Sequence, residues 1–282
     1  MLPTFLVIGA MKSGTTSLYR YLQAHPDVYM SEEKELNYFT EGLNWESGIE
    51  WYEAQFEKAG NARAIGEAST NYTKYPQFPG VPARIAELLP DVRLMYIIRN
   101  PIERVRSAYL HAVIKGNEQR PIEQAIHESP QYVDTSRYAM QIDRYMEYFP
   151  RDQLLILTAD DLQGSRDQTM QQVFRFIGVH DGWWSPNLDR EYHQTAQKAR
   201  RPRALVTAAR RMPGYQALVS ASRRRYPALW RKGRELMTRT IVEQEAGEIS
   251  ADVREQLHEM LRDDVQRLHM YLGEDFHGWG IA

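Results

Sequence analysis

The stretch Gly9-Ala10-Met11-Lys12-Ser13-Gly14-Thr15-Thr16-Ser17 has the residue types of an anion cradle. Gly9 and Gly14 keep the G-x-x-x-x-G spacing of phosphate-binding loops. Glycines let a loop turn its backbone N–H groups inward, and a helix starting there adds the positive end of its dipole. Lys12 supplies a point charge, and Ser13, Thr15, Thr16 and Ser17 supply hydroxyl donors. A nucleotide triphosphatase places Lys and then Ser or Thr after the second glycine. Here Thr15 and Thr16 fill those positions and the lysine has moved inside the loop. The bland alternative is an ordinary strand-to-helix turn. A second group of the same character is Arg99, at the end of an apolar run, with Ser107 eight residues on. A Mg²⁺-dependent triphosphatase needs an acid near the end of a neighbouring strand; arginine and serine suit a second phosphate instead. The two groups together fit one ligand with two anionic ends and no dedicated metal carboxylate. An adenosine with a 5′-phosphosulfate and a 3′-phosphate has that form.

Such residues need strands and helices to hold them. Phe5–Gly9 reads as a short buried strand and Thr15–Gln23 as the helix after the loop, ending at His25-Pro26. Val92–Ile98 is the best internal strand, and Pro101 stands well at the start of a helix running to about Ile114. Ala64–Gly66 and Gln153–Thr158 are further strand candidates. Pro82–Leu89, Ile122–His127, Arg137–Tyr148 and Ser165–Ile177 are helix candidates, the last with Ser165 as N-cap and Gly178 as C-cap. Ala251–Leu272 is amphipathic, with Val253, Leu257, Leu261, Val265, Leu268 and Leu272 on one stripe. Alternating strands and helices predict an α/β fold: P-loop-like, three-layered, with a central mostly parallel sheet flanked by helices.

Composition sets the outer limits. The 282 residues are 43% apolar and 26% charged, which excludes a disordered or fibrous chain. The longest apolar runs, such as Leu94 to Ile98, fall far short of the roughly 20 residues a membrane helix needs. Phe5–Met11 has no basic residues before it and leads directly into the loop, so it reads as a strand and not a signal peptide. There is no cysteine, so disulfides, thiolate metal sites and cysteine nucleophiles are excluded.

In these motifs the chain resembles the sulfotransferases that use 3′-phosphoadenosine 5′-phosphosulfate (PAPS). GAMKSGTTSLYRYL is similar to their 5′-phosphosulfate loop and YIIRNPIERVRSAY to their 3′-phosphate segment. HPDVYMSEEKELNYF, between them, is similar to the heparan-sulfate and bacterial carbohydrate branch. The resemblance spans roughly residues 5 to 200. It implies PAPS as cofactor and adenosine 3′,5′-bisphosphate (PAP) as product, with no metal required. It implies that Lys12 bridges to the phosphosulfate and stabilises the leaving phosphate. Ser13, Gly14, Thr15, Thr16 and Ser17 would hold the 5′-phosphate, and Arg99 and Ser107 the 3′-phosphate. Glu35 matches the catalytic base of the heparan branch, and Glu67 falls at a second active-site acid, placed to orient an acceptor hydroxyl or Lys12. Lys198-Ala199-Arg200 resembles a Lys-Gly-Arg loop that closes over the cofactor. Ala68 and Asn37 depart from a lysine and a histidine common in the heparan enzymes.

The resemblance makes the expected reaction a sulfuryl transfer to an acceptor hydroxyl, on a carbohydrate or glycolipid. His111, one helical turn past Ser107, is the rival base. Tyr72 and Tyr138 are candidates for contact with nucleotide or acceptor, and Trp183-Trp184 for stacking on a base or sugar; packing explains each of them as well. Two other functions compete: an ATP-dependent small-molecule kinase, and a non-catalytic module that binds anions or membranes.

The domain expectation is a single domain, 1–282, carrying a basic helical insertion at 200–245. Lys198 to Arg239 holds 13 Lys/Arg against one acid, Glu235, in a chain whose total charge is −2. Such a block attracts anions. It can cover the cofactor or an anionic acceptor, make peripheral membrane contact through 200–239, or form a solvated helical surface. No nucleic-acid partner is expected, because no nucleic-acid module accompanies the charge. The expected location is cytoplasmic, with a peripheral position at the inner membrane face as a variant.

Overall fold

The computed structural model describes residues 1–115, 117–185, 249–273 and 275–281. The chain divides into two compact units. The first comprises Met1–Tyr109, Arg120–His193 and Ser250–Ala282; the second comprises Leu110–Gln119 and Gln194–Ile249. The expected basic insertion, with Lys198 and Arg200, lies outside the described residues.

The first unit is built on five strands: β1 (Phe5–Gly9), β2 (Val28–Met30), β3 (Ala64–Ala68), β4 (Arg93–Ile98) and β5 (Leu154–Thr158). Their order is β2-β3-β1-β4-β5 and every pairing is parallel. Parallel strands are covered on both faces, which is why Phe5–Gly9 is apolar throughout and buried throughout. Successive residues point to opposite faces. Leu6, Ile8, Leu94, Tyr96 and Ile98 join one apolar layer with Tyr52, Ile85, Tyr138 and Tyr145. Phe5, Val7, Met95 and Ile97 join the other with Leu18, Leu22, Val173 and Phe174.

The helices among the described residues are α1 (Thr15–Ala24), α2 (Gly48–Ala54), α3 (Val81–Leu88), α4 (Pro101–Lys115), α5 (Ile122–Glu128), α6 (Gln131–Asp134), α7 (Tyr138–Met146), α8 (Ala159–Gly164), α9 (Arg166–Ile177), α10 (Ala251–Arg267) and α11 (His269–Leu272); α1 and α9 feed the second layer, and α2, α3 and α7 the first. Gly178 closes α9 in a left-handed conformation, as its residue type predicts. The single helix expected over Ala251–Leu272 is two, divided at Leu268. Five of its six stripe residues, Val253 to Leu268, are fully buried. Asp264 on α10 caps α7: its carboxylate accepts from the Ala139 N–H at 3.0 Å and the Met140 N–H at 2.9 Å. No helix among the described residues is long and apolar enough to cross a membrane.

β1 sits at the centre, and the chain leaves it toward β2 on one side, while β4 leads to β5 on the other. The crevice at the carboxyl ends of β1 and β4 is therefore the topological switch point, where open α/β sheets bind ligands.

Candidate functional site

The loop after β1 occupies that crevice. The Ala10 N–H donates to the Ile97 carbonyl of β4 at 2.7 Å, and the Ser13 N–H returns to the Ala10 carbonyl at 3.1 Å. Position 9 must be glycine, because a Cβ there would lie 1.9 Å from Thr73 Oγ1. Gly14 is the N-cap of α1 with φ 99°, and no side chain caps this end. The first turn of α1 contains no acid. A helix of ten residues thus presents uncapped N–H groups and its positive dipole end to the crevice. Ser13 is buried against it. Lys12 lies in the left-handed region, φ 74°, a conformation that costs a non-glycine residue about 1 kcal/mol or more.

Arg99 follows the last residue of β4. Its Nη1 donates to the Lys12 carbonyl at 3.3 Å, which ties the two loops together. The next residue, Asn100, caps α4: its Oδ1 accepts from the Ile102 N–H at 3.0 Å and the Glu103 N–H at 3.2 Å. Pro101 then opens the helix without a missing bond. Ser107 is buried two turns along. Between them, Arg104 is buried and donates to Ser136 Oγ and the Tyr132 carbonyl. Burial pulls its guanidinium below its usual range, and the Arg99 charge adds to the effect.

The third element is the loop after β2. Glu35 has φ 67° and Asn37 has φ 52°, so this loop also holds non-glycine residues left-handed. The Glu35 N–H donates to the Ala68 carbonyl at the end of β3, 2.9 Å away. Glu35 Oε2 accepts from the Thr70 N–H at 2.7 Å and Thr70 Oγ1 at 3.1 Å, and Oε1 accepts from Lys34 Nζ at 2.6 Å. The side chain keeps 35% exposure, so solvent still reaches the carboxylate. Beneath it, Glu67 is fully buried. Its Oε1 accepts from Tyr72 at 2.6 Å and Tyr52 at 3.1 Å, and its Oε2 from Ser69 at 2.6 Å. Burial pushes the Glu67 carboxyl up to about 7, against the lowering effect of these three hydroxyls.

Lys12 and Arg99 therefore belong to the loops that leave the neighbouring strands β1 and β4, and Glu35 to the loop that leaves β2 and docks on the carboxyl end of β3, the strand between β2 and β1. Residues 2–269 match the family described as Sulfotransferase domain. The chain belongs to that family. A curated relative, the mouse bifunctional heparan sulfate N-deacetylase/N-sulfotransferase 4, is 32% identical over 199 residues, covering 63% of this chain and 22% of that protein. The chain thus matches about a fifth of that relative's length. A solved sulfotransferase from Alicyclobacillus acidocaldarius covers 99% of each chain with a TM-score of 0.72 at 23% identity, a likeness of fold. A mouse sulfotransferase solved with PAP has a TM-score of 0.51 at 10% identity, over 99% of this chain and 88% of that one.

Within this sulfotransferase fold, the segment Lys12 to Ser17 meets Arg99 at one crevice, with Ser107 on the helix that Arg99 leads into. His111 sits one turn beyond Ser107, in the stretch of α4 that belongs to the second unit. Glu67, expected as an acid orienting an acceptor hydroxyl or Lys12, is buried, and its carboxylate is held by Tyr52, Tyr72 and Ser69. Tyr72 and Tyr138 are themselves buried: Tyr72 serves Glu67, and the Tyr138 hydroxyl lies against Ser13 and the Arg99 backbone. Trp183 packs on His25 and Phe174, with ring centroids 4.8 and 6.1 Å away. Sequence reasoning missed Asn100, Ser69 and Thr70. The Asn-Pro dipeptide before α4 was a readable cap signal. Ser69 and Thr70 carried none, because the loop groups they hold lie more than thirty residues away, at Asn37 and Glu35.

Proposed function

We propose that this chain is a PAPS-dependent sulfotransferase that moves a sulfuryl group to an acceptor hydroxyl of a carbohydrate or glycolipid. The observation that carries this reading is the uncapped N-terminus of α1, with Arg99 braced on the Lys12 carbonyl beside it. Those residues fit a ligand with two separated phosphates. The heparan-branch resemblance and the name of the mouse relative support a carbohydrate acceptor.

PAPS, when bound, supplies the sulfuryl group and a 5′-phosphate leaving group. The N–H groups of Gly14 to Ser17, with the hydroxyls of Ser13, Thr15, Thr16 and Ser17, would hold that phosphate. The Lys12 ammonium would offset the negative charge that grows on it, as preorganised cations do in transition states of this kind. Arg99 and Ser107 would hold the 3′-phosphate, Arg99 through its planar fork. Glu35 would take the acceptor proton, and Thr70 and Lys34 would fix the direction of its carboxylate. General bases of this sort contribute about 10²–10⁴-fold to rate.

The test is release of PAP from PAPS over a panel of oligosaccharides and glycolipids, for the native chain, Lys12→Ala and Glu35→Ala. The expected result is turnover that falls about 10²-fold or more in Glu35→Ala with PAP affinity kept within twofold, and a loss of both in Lys12→Ala. Full transfer by both variants would overturn the assignment of roles. PAP binding with no acceptor sulfated would overturn the enzyme.

A further inference from the structure

The loop that presents Glu35 is anchored from beneath by a buried hydroxyl and carboxyl cluster. The Asn37 N–H donates to Ser69 Oγ at 2.9 Å, and Ser69 Oγ donates onward to Glu67 Oε2 at 2.6 Å. The Phe39 N–H reaches the Tyr72 hydroxyl at 3.5 Å, which donates to Glu67 Oε1 at 2.6 Å. Tyr52 completes the shell from α2. Glu67, Ser69, Tyr52 and Tyr72 are all buried, so no solvent competes for these bonds. The same turn places Thr70 on the Glu35 carboxylate. Consecutive residues thus grip the loop twice, once at the Asn37 backbone and once at the Glu35 side chain. Asn37 closes the circuit, its Nδ2 donating to the Glu35 carbonyl at 2.7 Å.

Left-handed backbone at two non-glycine residues persists only where the surroundings impose it. Glu35 and Asn37 are those two residues, and Ser69 and Thr70 are the groups that bond to them from β3's exit. We infer that Ser69, oriented by Glu67, is a positioning residue for sulfuryl transfer, acting through the Asn37 backbone to hold the Glu35 carboxylate in line. This rests on the reading of Glu35 as the base. It gives Glu67 a role that needs no contact with substrate.

The test uses the full chain as Ser69→Ala, Glu35→Ala and the double variant. PAP release from PAPS is followed with O-desulfated heparin, which presents free hydroxyls, as acceptor, alongside PAP affinity and the hydrogen-exchange rate of the Asn37 amide. Ser69→Ala is expected to lower kcat by about 10–100-fold, the scale of a small misplacement, with PAP affinity and the KM for PAPS within twofold. In the Glu35→Ala background the same change is expected to alter kcat less than twofold, since it acts only through Glu35. The Asn37 amide is expected to exchange at least tenfold faster in Ser69→Ala. An equal loss in both backgrounds, or an unchanged Asn37 exchange rate, overturns the inference. If Glu35→Ala keeps full transfer, the base reading fails instead, and the exchange rate alone decides whether Ser69 anchors the loop. That measurement needs no acceptor, so it also decides the case if heparin is not turned over. Tyr72→Phe is the second variant should Ser69→Ala fail to fold, with the Phe39 amide as its reporter.

Discussion

Glu67 is a carboxylic acid held far from its ordinary state. Its carboxyl is pushed from the usual 4.5 up to about 7 by burial, which the three hydroxyl donors only partly offset. Between those two pH values the unfolded chain has lost this proton and the folded chain keeps it. Folding stability contributed by this group therefore falls as pH rises through that window. A shift of this size corresponds to about 3 kcal/mol. Glu67→Gln removes the titration while keeping an oxygen for Tyr52 and Tyr72. Relative to the native chain, it should gain about 3 kcal/mol between pH 5 and pH 8. Urea unfolding at the two pH values measures this, and parallel profiles would contradict it. At the same scale, Lys12 and Glu35 share a feature invisible in composition: both are left-handed without being glycine. Their residue types suggested the chemistry, but the conformation that aims them comes from partners at Arg99, Ala68 and Thr70.

Elements were legible where one segment carries its own signal. The strand Phe5–Gly9 needed no correction, and the ends of β4, β5, α4 and α9 moved by a single residue. Apolar runs, a proline at the start and a glycine at the end are local signals, and local signals survive folding. β2, α2, α6 and α8 were not anticipated. β2 has three residues and α6 four, too few to show a period. α8, ADDLQG, has one large apolar residue and is started by Thr158, whose side chain accepts the Asp161 N–H. The stripe on α10 was readable, but its polar contribution was not: Asp264 caps α7 across about 125 residues. Its carboxyl is pushed up to about 6 by burial, so the cap sits in a largely dry environment. Asp264→Ala leaves the Ala139 and Met140 N–H groups without this acceptor. The expected cost is about 2 kcal/mol, read from the urea midpoint at constant slope. A loss below about 0.5 kcal/mol would show that α7 does not depend on this cap.

For the whole molecule, topology does what no motif could state. Loops at positions 9–14, 35–37 and 99–100 are far apart in sequence. The order β2-β3-β1-β4-β5 sets β1 beside β4, with β2 one strand further across β3; because every pairing is parallel, all three loops open at the same edge of the sheet, and the 35–37 loop rests on the end of β3 through the Glu35 N–H. The strand–loop–helix settings of Lys12 and Arg99 were legible because each pairs a strand end with a helix start. The support beneath Glu35 was not, because Glu67, Ser69 and Tyr72 act only through residues that the fold returns to them. The resemblance to PAPS-using enzymes rests on the two motifs, and the family match covers residues 2–269. The central claim is that the crevice between β1 and β4 takes a nucleotide with separate 5′ and 3′ anionic groups. The direct measurement is calorimetric titration of the full chain with PAP and with ATP, each with and without Mg²⁺, repeated on Arg99→Ala. The expected result is metal-independent PAP binding, much weaker ATP binding, and a loss of PAP affinity of about tenfold or more in Arg99→Ala, in line with a charge-assisted bond of roughly 1.5–3 kcal/mol. Preferential binding of ATP with Mg²⁺, or PAP affinity indifferent to Arg99, would contradict it.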